Sequence, residues 1–124
     1  MNTATVHKAT KAEVVTKALV EAARQLEVKQ TELATILGVS ESSVSRYKAG
    51  TLTIDARHHV TDTAATFILI YRSLASILGS NLDHMKAWLK SHNDDLGDVP
   101  LTMMLRQAGL HQVRAYLDDY RGRC

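Results

Sequence analysis

Cysteine is nearly missing from this sequence: the single one, Cys124, is the last of 124 residues. One thiol cannot close an internal disulfide, so the expected setting is a reducing cytoplasm. Proline occurs once and glycine six times, so few residues interrupt a helix. Aromatics reach only 5%, which leaves Leu, Val, Ile, Ala and Met to build a core. No apolar run is long enough to cross a bilayer, and the most apolar stretch, Ala64 to Ile70, falls well short. The opening Met1-Asn2-Thr3-Ala4-Thr5-Val6 lacks the apolar segment of a secretory leader. These absences together lead us to expect a soluble cytoplasmic chain with no membrane association.

An excess of either charge is also lacking. The formal net charge is +2, and all of it sits in residues 1–57, with eight Lys/Arg against six Asp/Glu. The remainder carries seven of each. So weak a bias neutralises few phosphates, so nucleic-acid binding would need two copies and would fade with salt. Six histidines are present, but His58 and His59 are adjacent and His84 and His92 lie about two turns apart. Neither a CxxC nor an HExxH spacing occurs, so no metal and no cofactor are expected. No glycine-rich phosphate loop follows a strand, and spacing supports no Ser/His/Asp arrangement. A non-enzyme is the expectation.

What the chain does have is helical periodicity. Hydrophobic residues make up 45%, too many for a disordered chain. Residues 1–10 are polar and read as a flexible arm. From Lys11 to Leu26, Val14, Val15, Ala18, Leu19, Ala22, Ala23 and Leu26 form one amphipathic stripe. A second helix runs from Gln30 to Leu37 and stops at Gly38. A third begins near Ser40 and ends near Ala49-Gly50. Residues 51–62 read as a connector. Thr63 to Leu78 is a long apolar helix whose Phe67, Ile68, Ile70, Tyr71, Leu74, Ile77 and Leu78 cover more than one stripe, as in a helix central to a core or shared between subunits. Ser80 or Asn81 caps the next helix, Leu82 to about Ser91. Asn93 to Asp98 is a loop. Pro100 opens a helix that Gly109 would end. A last helix spans about Leu110 to Tyr120, followed by a basic tail. The expected fold class is all-α.

Residues 30–48 meet the steric demands of a helix-turn-helix. Ala34 is small where two helices cross, and Gly38 suits a turn at positive φ. Val39, Val44 and Tyr47 are spaced to hold the third helix to the core, with Ile36 and Leu37 behind them. Its other faces are polar: Glu41, Ser42, Ser43, Ser45, Arg46 and Lys48. Ser42 and Arg46 are the expected base readers, Arg46 as a bidentate partner for guanine. Gln30, Ser43 and Lys48 are expected phosphate contacts. Glu41 suits either a cytosine amino group or the helix cap. Ser45 lies among them as a further contact. This segment resembles the Xre/Cro-type repressor motif.

The second half carries another resemblance. Met85-Lys86-Ala87-Trp88-Leu89, Asn93, Leu96-Gly97, Pro100-Leu101, Gly109, Val113 and Leu117 resemble the C-terminal toxin-binding region of Xre/MbcA/ParS-type antitoxins. The resemblance implies a cognate RES-domain toxin that consumes NAD, an active-site cleft covered by this module, and repression of the shared operon through operator DNA. The chain would be inhibitor, not catalyst. The implied division is a flexible arm at 1–10, a helix-turn-helix DNA-binding region at 11–62 and a helical dimerisation and toxin-binding region at 63–124. Trp88, Asn93, Tyr120, Arg121 and Arg123 are the candidate toxin contacts, the two arginines reaching into an acidic or phosphate-binding cleft. A homodimer is expected. Another account is a free-standing dimeric repressor whose second half only dimerises or binds an effector.

Overall fold

The structure is a computed structural model and describes residues 8–55 and 58–123. Among these residues it forms seven helices and no strand: α1 (Lys11–Gln25), α2 (Gln30–Leu37), α3 (Glu41–Ala49), α4 (Val60–Ile77), α5 (Leu82–Lys90), α6 (Pro100–Met104) and α7 (Gln107–Gly122). Most of the expected arm, and Cys124, lie outside the described residues. Thr10 is inside. Its hydroxyl accepts from the Glu13 amide, and the Glu13 carboxylate accepts from the Thr10 amide, closing a capping box that sets where α1 begins.

One hydrophobic cluster runs through the whole molecule. Leu19, Leu33, Ile36, Leu37 and Val44 from the first three helices are sealed together with Phe67, Ile70 and Leu74 of α4 and with Met85, Leu89, Met104 and Leu110 beyond it. Helix α4 makes this continuity possible. It packs against α1 and α2 of the first half and against α5 and α7 of the second. The broad apolar face seen in its sequence is thus shared among four neighbouring helices. Val14 is the exception in the α1 stripe: it is exposed, in the first turn, ahead of the part of α1 that buries Leu19, Ala22 and Ala23.

Polar bonds reinforce the packing within the first half and across the joint between the halves. The buried Thr16 hydroxyl accepts from the Ile54 amide at 2.8 Å, tying the segment after α3 back onto α1. Tyr71 donates to the Gln25 side chain at 2.7 Å. Lys86 and Lys90 of α5 both reach Glu27, the first to its carboxylate and the second to its carbonyl. Glu27 sits at φ +53, in the left-handed position that ends α1, and its carbonyl is turned toward α5.

Several boundaries differ from the periodicity reading. Helix α4 starts at Val60, inside the span expected to be a connector. Asn81, not Ser80, caps α5, its side chain accepting from the His84 amide, while Ser80 occupies the turn at φ +62. Gly109 does not end a helix. It is buried in the first turn of α7, where a Cβ would fall on the Met103 carbonyl of α6. Glycine is needed here for a close approach of two backbones. The preceding helix therefore stops at Met104, and α7 starts at Gln107 rather than Leu110. It also continues through Gly122, so Arg121 belongs to a helix and not to a tail.

Candidate nucleic-acid and partner interfaces

The α2–α3 unit has the expected helix-turn-helix geometry. Gly38 closes α2 at φ +70, and its amide and that of Val39 satisfy the last carbonyls of the helix. Ala34 is buried at the crossing, and Val44 and Tyr47 pin α3 to the core. Burial holds the Tyr47 phenol above its ordinary pKa. Ser40 is the cap of α3: its hydroxyl accepts from the Ser43 amide and donates to the Ser43 hydroxyl. Of the two roles expected for Glu41, the cap is therefore taken, and Glu41 stands exposed at the first helical position.

With Val44 and Tyr47 facing inward, the 3.6-residue period turns Ser42, Ser45, Arg46 and Ala49 directly outward. All four are exposed. Ser43 lies on one flank, half-buried; Glu41 and Lys48 lie on the other. At that flank Gln30 bridges the two helices. Its amide nitrogen donates to the Glu41 carbonyl at 3.2 Å, and its amide oxygen accepts from Lys48 at 3.4 Å. The candidate DNA contacts thus form one surface, with polar side chains in the centre and an amide–ammonium pair at the edge.

The candidate partner residues gather on α5, α7 and the loop between α5 and α6, but only in part. Trp88 of α5 stacks on Tyr116 of α7, ring centroids 6.3 Å apart, and Tyr116 lies 6.5 Å from Tyr120. Tyr120 is 47% exposed. The Tyr116 hydroxyl donates to the Asp95 carboxylate at 2.7 Å, and that bond, with burial second, raises its pKa. Asn93 serves its own loop: its side chain accepts from the Leu96 amide, and its backbone bridges Asp98. Arg121 donates to the Ser73 hydroxyl of α4 at 3.2 Å. Arg123 pairs with Asp119 at 2.9 Å, both exposed. Both arginines are therefore engaged within the chain.

Sequence reasoning passed over Tyr116. Its spacing of four from Tyr120 on a helix was a legible signal for an aromatic row. Among the described residues there is no group of three or more His, Cys, Asp or Glu side chains able to hold a metal; the His58 and His59 rings lie tilted against each other, centroids 4.3 Å apart, and His58 Nδ1 accepts from the Val60 amide. Among the same residues no helix is long and apolar enough to cross a membrane.

Comparison with known families gives two matches. Residues 5–65 match the Antitoxin Xre-like helix-turn-helix domain. Residues 73–123 match the Antitoxin Xre/MbcA/ParS C-terminal toxin-binding domain. The first covers α1 to α3 and the start of α4; the second covers the last part of α4 and the helices after it, and residues 66–72 fall in neither. No curated protein matches the chain. With both modules present in order and together spanning most of its length, the chain belongs to the Xre/MbcA/ParS-type antitoxins.

Proposed function

We propose that this protein neutralises a RES-domain toxin, an enzyme that consumes NAD, by covering its active-site cleft with the C-terminal module, and that it represses its own operon through α3. It acts in the cytoplasm as an inhibitor and does no chemistry itself. One observation supports the pairing of roles: α3 packs against α1 and α2, whereas the aromatic row belongs to α5 and α7, which pack against α4 and α6 of the same continuous core. A chain so built offers DNA and protein two separate sets of residues.

In this reading Arg46 grips a guanine edge, Ser42 and Ser45 approach neighbouring bases, and Gln30, Ser43 and Lys48 meet phosphates. Two copies act together, because one +2 chain neutralises too few phosphates to hold an operator alone. The test is co-expression with the protein encoded by the neighbouring gene, followed by size exclusion and measurement of cellular NAD. A stable complex that restores growth and NAD is the expected result. A harmless neighbour and no complex would install the free-standing repressor instead.

A further inference from the structure

Two cavities in the second half share a wall. The first, about 110 Å³, is an apolar pit between the C-terminal halves of α4 and α7 and the end of α5, lined by Leu74, Ile77, Leu78, Trp88, Tyr116 and Tyr120. The second, about 310 Å³, lies on the other side of Tyr116 and Tyr120 and is bounded by Asp95, Asp119 and Arg123. We propose that this double groove is where the toxin docks, through a segment that places an apolar side chain in the pit and a lysine or arginine beside it in the charged cleft. The proposal rests on the antitoxin reading and adds to it the place and the chemistry of the contact.

Position argues for the toxin as occupant. All of these residues fall within 73–123, the span matched by the toxin-binding domain, and none comes from the helix-turn-helix match. Charge argues the same way. The cleft holds two carboxylates against one guanidinium, so its rim is net negative. In a symmetric contact between two copies, like edges would face each other. A basic segment of a different protein is complementary to it.

The groove is also prepared for a cation. Tyr116 is locked between Trp88 and Asp95, so the wall shared by the two cavities is set before a partner arrives. Tyr116 and Tyr120 present ring surface beside the carboxylates, the combination that favours a guanidinium or ammonium. Arg123 now occupies Asp119 from one turn further along α7. Both partners are largely exposed, with side-chain exposures of 78% and 64%, and such a pair is weak and readily exchanged. Arg123 thus stands in for the partner's cation, which replaces it on docking.

The test measures affinity of the full chain for the protein encoded by the neighbouring gene, with operator binding as proof of intact folding. Tyr120→Ala and Asp119→Lys should each weaken the complex by about tenfold or more, the loss typical of an interface anchor. Arg123→Ala should bind as tightly as wild type or more tightly. Unchanged affinity in both weakened variants, or a loss in Arg123→Ala, overturns the docking site. So does a result in which Tyr120→Ala and Asp119→Lys alter only self-association by sedimentation. Absence of any complex with the wild-type chain is a different outcome: it overturns the antitoxin reading, and the docking site with it.

Discussion

Arg46 is the only long side chain among the four that α3 turns outward, the others being Ser42, Ser45 and Ala49. If it reads a guanine, Arg46→Ala should cost roughly 1–3 kcal/mol and relax selectivity at one base pair of each half-site. Lys48→Ala should instead weaken all sequences alike and flatten the salt dependence. A binding titration against single-base operator variants at several salt concentrations separates these effects. Gly109 lends itself to a prediction of another kind. Gly109→Ala pushes a methyl into the Met103 carbonyl, and forcing α6 and α7 apart should cost about 1–3 kcal/mol, visible as a lower thermal midpoint. At Tyr116 the bond to Asp95 raises the phenol pKa. Its stabilising contribution is therefore complete below about pH 10 and is lost as pH climbs through the folded-state value. Ultraviolet titration of Asp95→Asn should show Tyr116 shifted down toward its ordinary value. An unmoved midpoint would remove the carboxylate as the cause.

At the scale of single elements, α3 is a short helix whose start depends on one hydroxyl. Ser40→Ala removes the acceptor for the Ser43 amide and should cost about 1 kcal/mol, with faster exchange of amides in the first turn and weaker operator binding. The helix-turn-helix was legible because each of its demands is local: a small residue at Ala34, a left-handed turn at Gly38, an apolar back at Val44 and Tyr47. The start of α7 was not legible for the opposite reason. A glycine in sequence marks either a helix end or a close backbone approach, and at Gly109 only the position of Met103, on another helix, decides between them. The same holds for α4. Its periodicity announced a broad buried face but could not say that the face extends back to Val60. Arg121 and Arg123 looked like a free basic end because the partners that hold them, Ser73 and Asp119, are revealed only by folding.

For the molecule as a whole, one matched family ends and the other begins inside α4, at residues 65 and 73, and that is not where the physical structure divides. Phe67, Ile70 and Leu74 are fully enclosed between helices of both halves. The intact chain should therefore unfold in one step, with far-ultraviolet circular dichroism and Trp88 fluorescence giving coincident curves. A piece ending at His59 would lose the helix that packs against α1 and α2, and should not fold alone. Separate transitions, or a well-dispersed amide spectrum from that piece, would show two independent domains.

The bond from Gln107 to the Ile36 carbonyl, 3.3 Å long, fastens the first residue of α7 to the last turn of α2. With α4 shared as well, the two halves leave little room for swivelling. If two copies join through their second halves, the distance and the rotation between their reading helices are fixed by residues that never approach DNA. Contacts on α3 would then determine which bases are preferred. The second half of the chain would determine how many base pairs separate the half-sites, and so their phase around the double helix. A substitution near Gln107 could shift the accepted spacing while every base preference stayed as it was.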